Sequence, residues 1–101
     1  GKYEQGLADA TKAIELDPKL AGAFETRGIA YGSLGQYPKA LADFSRKIEL
    51  EPDAAAYSNR GAIYLLLRKD AEAEADFKAA ISLGASPQNI EAIKQDILKH
   101  R

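Results

Sequence analysis

The sequence predicts an all-α fold, a helical-repeat solenoid of antiparallel helix-turn-helix pairs that ends in a C-terminal capping helix. Three observations predict it. Pro18 and Pro52 lie 34 residues apart, and Tyr3/Tyr37, Leu7/Leu41, Asp9/Asp43 and Ile14/Ile48 share that interval. FETRGIAYGSL at 24–34 returns as YSNRGAIYLLL at 57–67, one residue short of the same interval. Apolar residues recur at helical spacing, and strand alternation is nowhere sustained.

The elements follow in order. Residues 1–18 read as the second helix of an incomplete repeat, with Tyr3, Leu7, Ala10 and Ile14 on one face and a stop at Asp17-Pro18. Residues 19–52 read as a full repeat. Phe24, Gly28, Tyr31 and Leu34 mark its first helix, and Tyr37, Leu41, Phe44 and Ile48 its second. Pro38 suits a first helical turn, where its missing N–H costs nothing. Residues 53–85 read as a second full repeat, with Tyr57, Gly61, Tyr64 and Leu67 followed by a helix through Phe77 that Asp70 can cap. A glycine inside a helix costs about 1 kcal/mol relative to alanine. Gly28 and Gly61 therefore imply close approach of a partner helix, with Ala40 and Ala73 as the small residues expected to face them.

Residues 86–101 read as the capping helix. Gly84 suits a helix C′ position, Ser86 an N-cap and Pro87 the first helical residue. Ile90, Ile93, Ile97 and Leu98 form its apolar stripe. The 1–18 segment has no comparable cap. It is expected to belong to a longer array, or to cover its open face, Tyr3, Leu7, Ala10 and Ile14, by self-association with a second copy.

Composition narrows the function. The net charge of −1, with acids and bases interspersed, leaves no footprint for nucleic acid and no polybasic stripe for a membrane. No apolar run approaches a membrane span and no signal-peptide pattern occurs. Cysteine is absent, which excludes disulfides and thiolate metal sites. Cytoplasmic residence is the default expectation.

The pattern resembles the tetratricopeptide repeat family. Phe24, Gly28, Tyr31, Ala40, Phe44 and Pro52 follow the family's motif in order, and Tyr57, Gly61, Tyr64, Ala73 and Phe77 follow it again. Arg27 and Arg60 stand where the motif has leucine, and Ala85 replaces the closing proline. Asp70 and Glu74 replace Tyr37 and Leu41, so that helix is expected to bury less. The resemblance implies helix pairs in a right-handed superhelix.

No chemistry is expected of these residues, and no cofactor, metal or catalytic site is assigned. His100 sits next to the C-terminus, and Asp9, Asp43 and Asp76 recur as helix-surface residues rather than as an acid/base pair. Arg27 and Arg60 are expected to make surface or inter-helix contacts. The resemblance implies instead a non-catalytic protein-interaction scaffold that binds a peptide or helical segment in a concave groove. Carried over by register, the lining would be Glu25, Thr26, Ile29, Gly32 and Ser33 from one repeat and Ser58, Asn59, Ala62, Leu65 and Leu66 from the next. Members with a carboxylate clamp hold a peptide C-terminus with Lys, Asn and Arg. Asn59 matches one such place, but Ser58 and Ala55 stand at others, so recognition of a chaperone tail is not expected. The alternatives are a homodimer module, or a targeting or spacer array attached to an enzyme domain outside these residues.

Overall fold

The computed structural model describes all 101 residues as six helices: α1 Lys2–Leu16, α2 Ala21–Ser33, α3 Tyr37–Leu50, α4 Ala54–Leu66, α5 Asp70–Ser82 and α6 Pro87–His100. The fold is an all-α helical repeat. Each break has a local cause. Asp17 and Glu51, both before proline, leave helical angles and end α1 and α3. Pro38 occupies the first turn of α3, and Pro87 that of α6. Asp53 caps α4 by accepting from the Ala56 N–H at 2.8 Å, and Ser86 caps α6 by accepting from the Asn89 N–H at 3.2 Å. Gly35 and Gly84 turn the chain with φ of 77° and 107°. Arg68, in register with Gly35, adopts a φ of 63° without that freedom.

Asp70 corrects one expectation. It is the first residue of α5 rather than its cap, and Lys69 precedes it with no side-chain capping bond. The Asp70 carboxylate instead accepts from the Arg101 guanidinium at 2.6 and 3.3 Å.

The chain forms two compact units, Gly1–Pro52 and Asp53–Arg101. In the first, α2 packs against both α1 and α3. Phe44 and Ala40 of α3 are buried, as are Phe24, Ala23 and Ala30 of α2. Enclosing a phenylalanine such as Phe44 is worth about 2–3 kcal/mol. Lys47, also buried, bends its ammonium back to the end of its own helix. It donates to the Glu51 carbonyl at 2.7 Å and to the Glu51 carboxylate at 3.0 Å, where the helix dipole favours a cation.

In the second unit α4 and α5 pair, and α6 lies against both. The core joins Leu65, Ala73, Phe77, Ala80 and Ile90, with Ile93 and Ile97 of α6 packed on it. Leu98 is largely exposed, so the apolar stripe of α6 ends at Ile97. The acidic residues that weaken the apolar face of α5 have partners: Glu74 pairs with Lys94 of α6, and Asp70 with Arg101.

The glycines meet aromatic rings, not alanines. A Cβ on Gly28 would lie 2.7–3.0 Å from ring carbons of Phe44. One on Gly61 would lie 2.9 Å from the Phe77 ring and 3.2 Å from the Asp76 Cβ. Ala40 and Ala73 are buried, but the close approach is that of a backbone onto a phenyl ring.

Candidate functional site

Both helix pairs are fastened by the same clasp. In the first, the Arg27 Nε and an Nη donate to the two oxygens of Asp43 at 2.8 and 2.9 Å. In the second, Arg60 grips Asp76 in the same way, both bonds 2.8 Å. Each guanidinium also lies over two rings of its own helix: Phe24 and Tyr31 at 5.8 and 5.7 Å for Arg27, and Tyr57 and Tyr64 at 5.7 and 5.8 Å for Arg60. Hydrogen bonding to the carboxylates raises the pKa of both arginines above the usual value. Arg27 and Arg60 therefore make inter-helix contacts. Asp43 and Asp76, read from sequence as solvated, are only 4% exposed. The signal was present: Arg27 and Asp43 recur together as Arg60 and Asp76, acceptor sixteen positions after donor each time.

With its Phe24–Gly28 side turned to the core, α2 presents an outward stripe. Gly22, Thr26, Ile29 and Ser33 fall at helical spacing and are all exposed. Ile29 is 45% exposed, an apolar side chain between polar neighbours. Glu25 and Gly32 flank the stripe and are half-buried.

The α4 residues of the expected lining divide. Ser58, Asn59, Ala62 and Leu66 are half-buried. Leu65 is 5% exposed and packs with Ile90, Phe77 and Ala73. It is core, not lining, because α6 covers that side of α4. In α2 the corresponding position is Gly32, which has no side chain to bury.

On α1, Tyr3 is exposed and Leu7 and Ile14 are half-buried. Ala10, expected on the open face, is buried within the first unit. Beside it lies an open cleft of about 550 Å³, lined by Asp9, Ala10 and Ala13 of α1, by Gly22, Ala23 and Thr26 of α2, and by Leu20 of their connection, so that it shares Gly22 and Thr26 with the outward stripe. Nothing in the residue pattern marks this cleft, since its lining consists largely of small residues that read as filler.

No cluster of His, Asp and Glu side chains is arranged to hold a metal ion. His100 is exposed and contacts only Asp96 of its own helix. No helix is long and apolar enough to cross a membrane.

An all-α succession of helix-turn-helix units with side-chain types recurring in one register defines a class, the helical-repeat proteins. Residues 10–42 and 54–85 each match the tetratricopeptide repeat family. The chain belongs to that family. Comparison with curated proteins gives no match. Among solved structures, the first tetratricopeptide repeat domain of Spaghetti (RPAP3), bound to the HSP90 peptide SRMEEVD, superposes with a TM-score of 0.87 at 27% identity, covering 99% of this chain and 80% of that one. The Arabidopsis OM64 tetratricopeptide repeat domain gives 0.86 at 24%, covering 99% and 84%. The TPR2B domain of yeast Sti1, from its pHsp70 complex, gives 0.84 at 22%, covering 99% and 86%. The last two establish likeness of fold alone.

Proposed function

We propose that the chain is a non-catalytic protein-interaction scaffold that binds an apolar or helical peptide segment through the outward face of α2. The observation that carries this reading is Ile29, exposed in mid-helix between Thr26 and Ser33. An uncovered apolar side chain on a rigid, polar-flanked helix is a ready anchor for a ligand. The peptide-bound relative, Spaghetti, supports a peptide as the class of ligand.

The electrostatics favour an apolar segment over an acidic tail. A carboxylate terminus needs cations that are not already neutralised. The arginines of α2 and α4 are both engaged by buried aspartates, and the outward stripe of α2 carries no cation. Asn59, Ala62 and Leu66 of α4 are read as further contacts within the second unit. The repeats are read as 1–18, 19–52, 53–85 and 86–101. Self-association through α1 is a second reading, favoured by Tyr3, which is 47% exposed. Light scattering that shows a monomer across micromolar concentrations removes it.

Panning a random displayed-peptide library on the chain tests the main reading. Enriched peptides are expected to be apolar rather than acidic, and to lose at least about tenfold in affinity on Ile29→Glu while helical content is kept. Peptides indifferent to Ile29→Glu, or no enrichment at all, count against it.

A further inference from the structure

Charge on α2 is sparse. Of its 13 residues only Glu25 and Arg27 are charged. Asp43 neutralises Arg27 through two hydrogen bonds, so Glu25 is the one uncompensated charge on the helix. The Glu25 carboxylate is half-buried and makes neither a hydrogen bond nor an ion pair.

That state is exceptional in this protein. Every other charged side chain that is buried or half-buried has a partner. Arg27 and Arg60 hold Asp43 and Asp76, and Arg46 meets Glu49. Lys47, Lys94 and Arg101 each meet a carboxylate, and Asp53 caps α4. Glu25 has no local role either. It is the fifth residue of α2, past the first turn in which an acid offsets the helix dipole. The residues one turn away, Ala21, Gly22, Gly28 and Ile29, include no cation, so no pair forms within the helix.

A carboxylate partly withdrawn from water without a counter-charge forgoes the pairing that offsets its desolvation. A ligand can supply that counter-charge. Glu25 lies one helical turn before Ile29, which places the two Cβ atoms about 5–6 Å apart. An exposed apolar anchor and an uncompensated anion are therefore neighbours on α2.

Resting on the reading of α2 as the ligand-binding face, we infer that this face selects a cationic segment. The ligand is a peptide whose apolar residue meets Ile29 and whose lysine or arginine meets Glu25. The separation of Glu25 and Ile29 sets the ligand's own spacing. Its cation and its apolar residue lie three or four positions apart in a helical peptide and two apart in an extended one. An acidic segment is rejected, because its carboxylate meets Glu25 while the one cation of α2 is already held by Asp43.

The test pans a random displayed-peptide library on the intact chain and, in parallel, on its Glu25→Lys variant. Peptides enriched on the unmodified chain are expected to carry lysine or arginine at the stated spacing from an apolar residue. Those enriched on Glu25→Lys are expected to carry aspartate or glutamate there instead. A synthetic copy of an enriched cationic peptide, followed by fluorescence anisotropy, is expected to bind Glu25→Gln about fivefold more weakly, a difference that shrinks at high salt. Glu25 bonds to nothing, and Gln and Lys suit a helix, so both variants keep the fold, which circular dichroism verifies. Enriched peptides with no excess of cations overturn the inference, as does equal affinity for Glu25→Gln and the unmodified chain. A loss on Ile29→Glu in that case leaves the Ile29 reading standing. No enrichment on either chain overturns both. Affinity lost on Glu25→Gln but kept on Ile29→Glu overturns the pairing of anchor and cation, and the inference with it.

Discussion

Arg27 holds Asp43 through two parallel N–H···O bonds from one helix to the next, with the guanidinium 5.8 and 5.7 Å from the rings of Phe24 and Tyr31. Its Asp partner is almost fully buried, so removing the charge leaves the arginine partly desolvated and uncompensated. Asp43→Asn is expected to cost about 2 kcal/mol, less than a fully buried pair because water still reaches the arginine. Thermal unfolding is expected to register this as a midpoint lower by about 10 °C. A double-mutant cycle with Arg27→Met is expected to give a coupling well above the value of an exposed pair.

The same substitution is expected to have opposite signs at two glycines. A Cβ on Gly6 meets nothing within 4 Å, so Gly6→Ala brings the helix-propensity gain, up to about 1 kcal/mol. A Cβ on Gly28 would collide with the buried ring of Phe44, which has nowhere to go. Gly28→Ala is expected to lose about 1 kcal/mol net, overpacking exceeding propensity. Adding Phe44→Leu to Gly28→Ala is expected to cost less than Phe44→Leu alone. Urea denaturation of the variants measures all of these.

Arg68 occupies the left-handed turn that Gly35 makes in the preceding repeat. A side chain there costs about 1–2 kcal/mol, part of which glycine returns through the greater freedom of its unfolded chain. Arg68→Gly is expected to stabilise the chain by about 0.5–1 kcal/mol. Gly35→Arg is expected to destabilise it.

Asp70 and Arg101 couple stability to acid. Hydrogen bonding to Arg101 lowers the Asp70 pKa below the usual aspartate range. A carboxylate whose pKa is depressed by folding contributes stability that is present above its unfolded value and lost as pH falls through its folded one. The contribution of this pair is therefore expected to be intact at neutral pH and to be lost progressively as pH falls below about 4. Asp70→Asn is expected to flatten the acid limb of the stability profile without changing its neutral shape.

Much of the fold was legible because helix breaks are local chemistry. Pro18, Pro38, Pro52, Gly84 and the Ser86-Pro87 pair mark boundaries through backbone angles and missing donors, which need no knowledge of distant contacts. Side-chain fates were less legible because they depend on what packs across. Asp43 is a surface residue by composition and a buried one by virtue of Arg27. Asp70 has the chemistry of a cap, but Arg101 takes its carboxylate. Leu65 could have faced out until α6 closed over it, and Gly28 was correctly read as a point of close approach but given the wrong neighbour. The α1–α2 cleft was hidden for the same reason, since small residues from two helices and their connection shape it together.

The measurement that tests the account most directly is a chemical-shift titration of the isotope-labelled chain with a peptide enriched by panning. The account predicts the largest amide perturbations at Thr26, Ile29, Gly32 and Ser33 of α2. Perturbations confined to α5 and α6, with α2 unmoved, would contradict it.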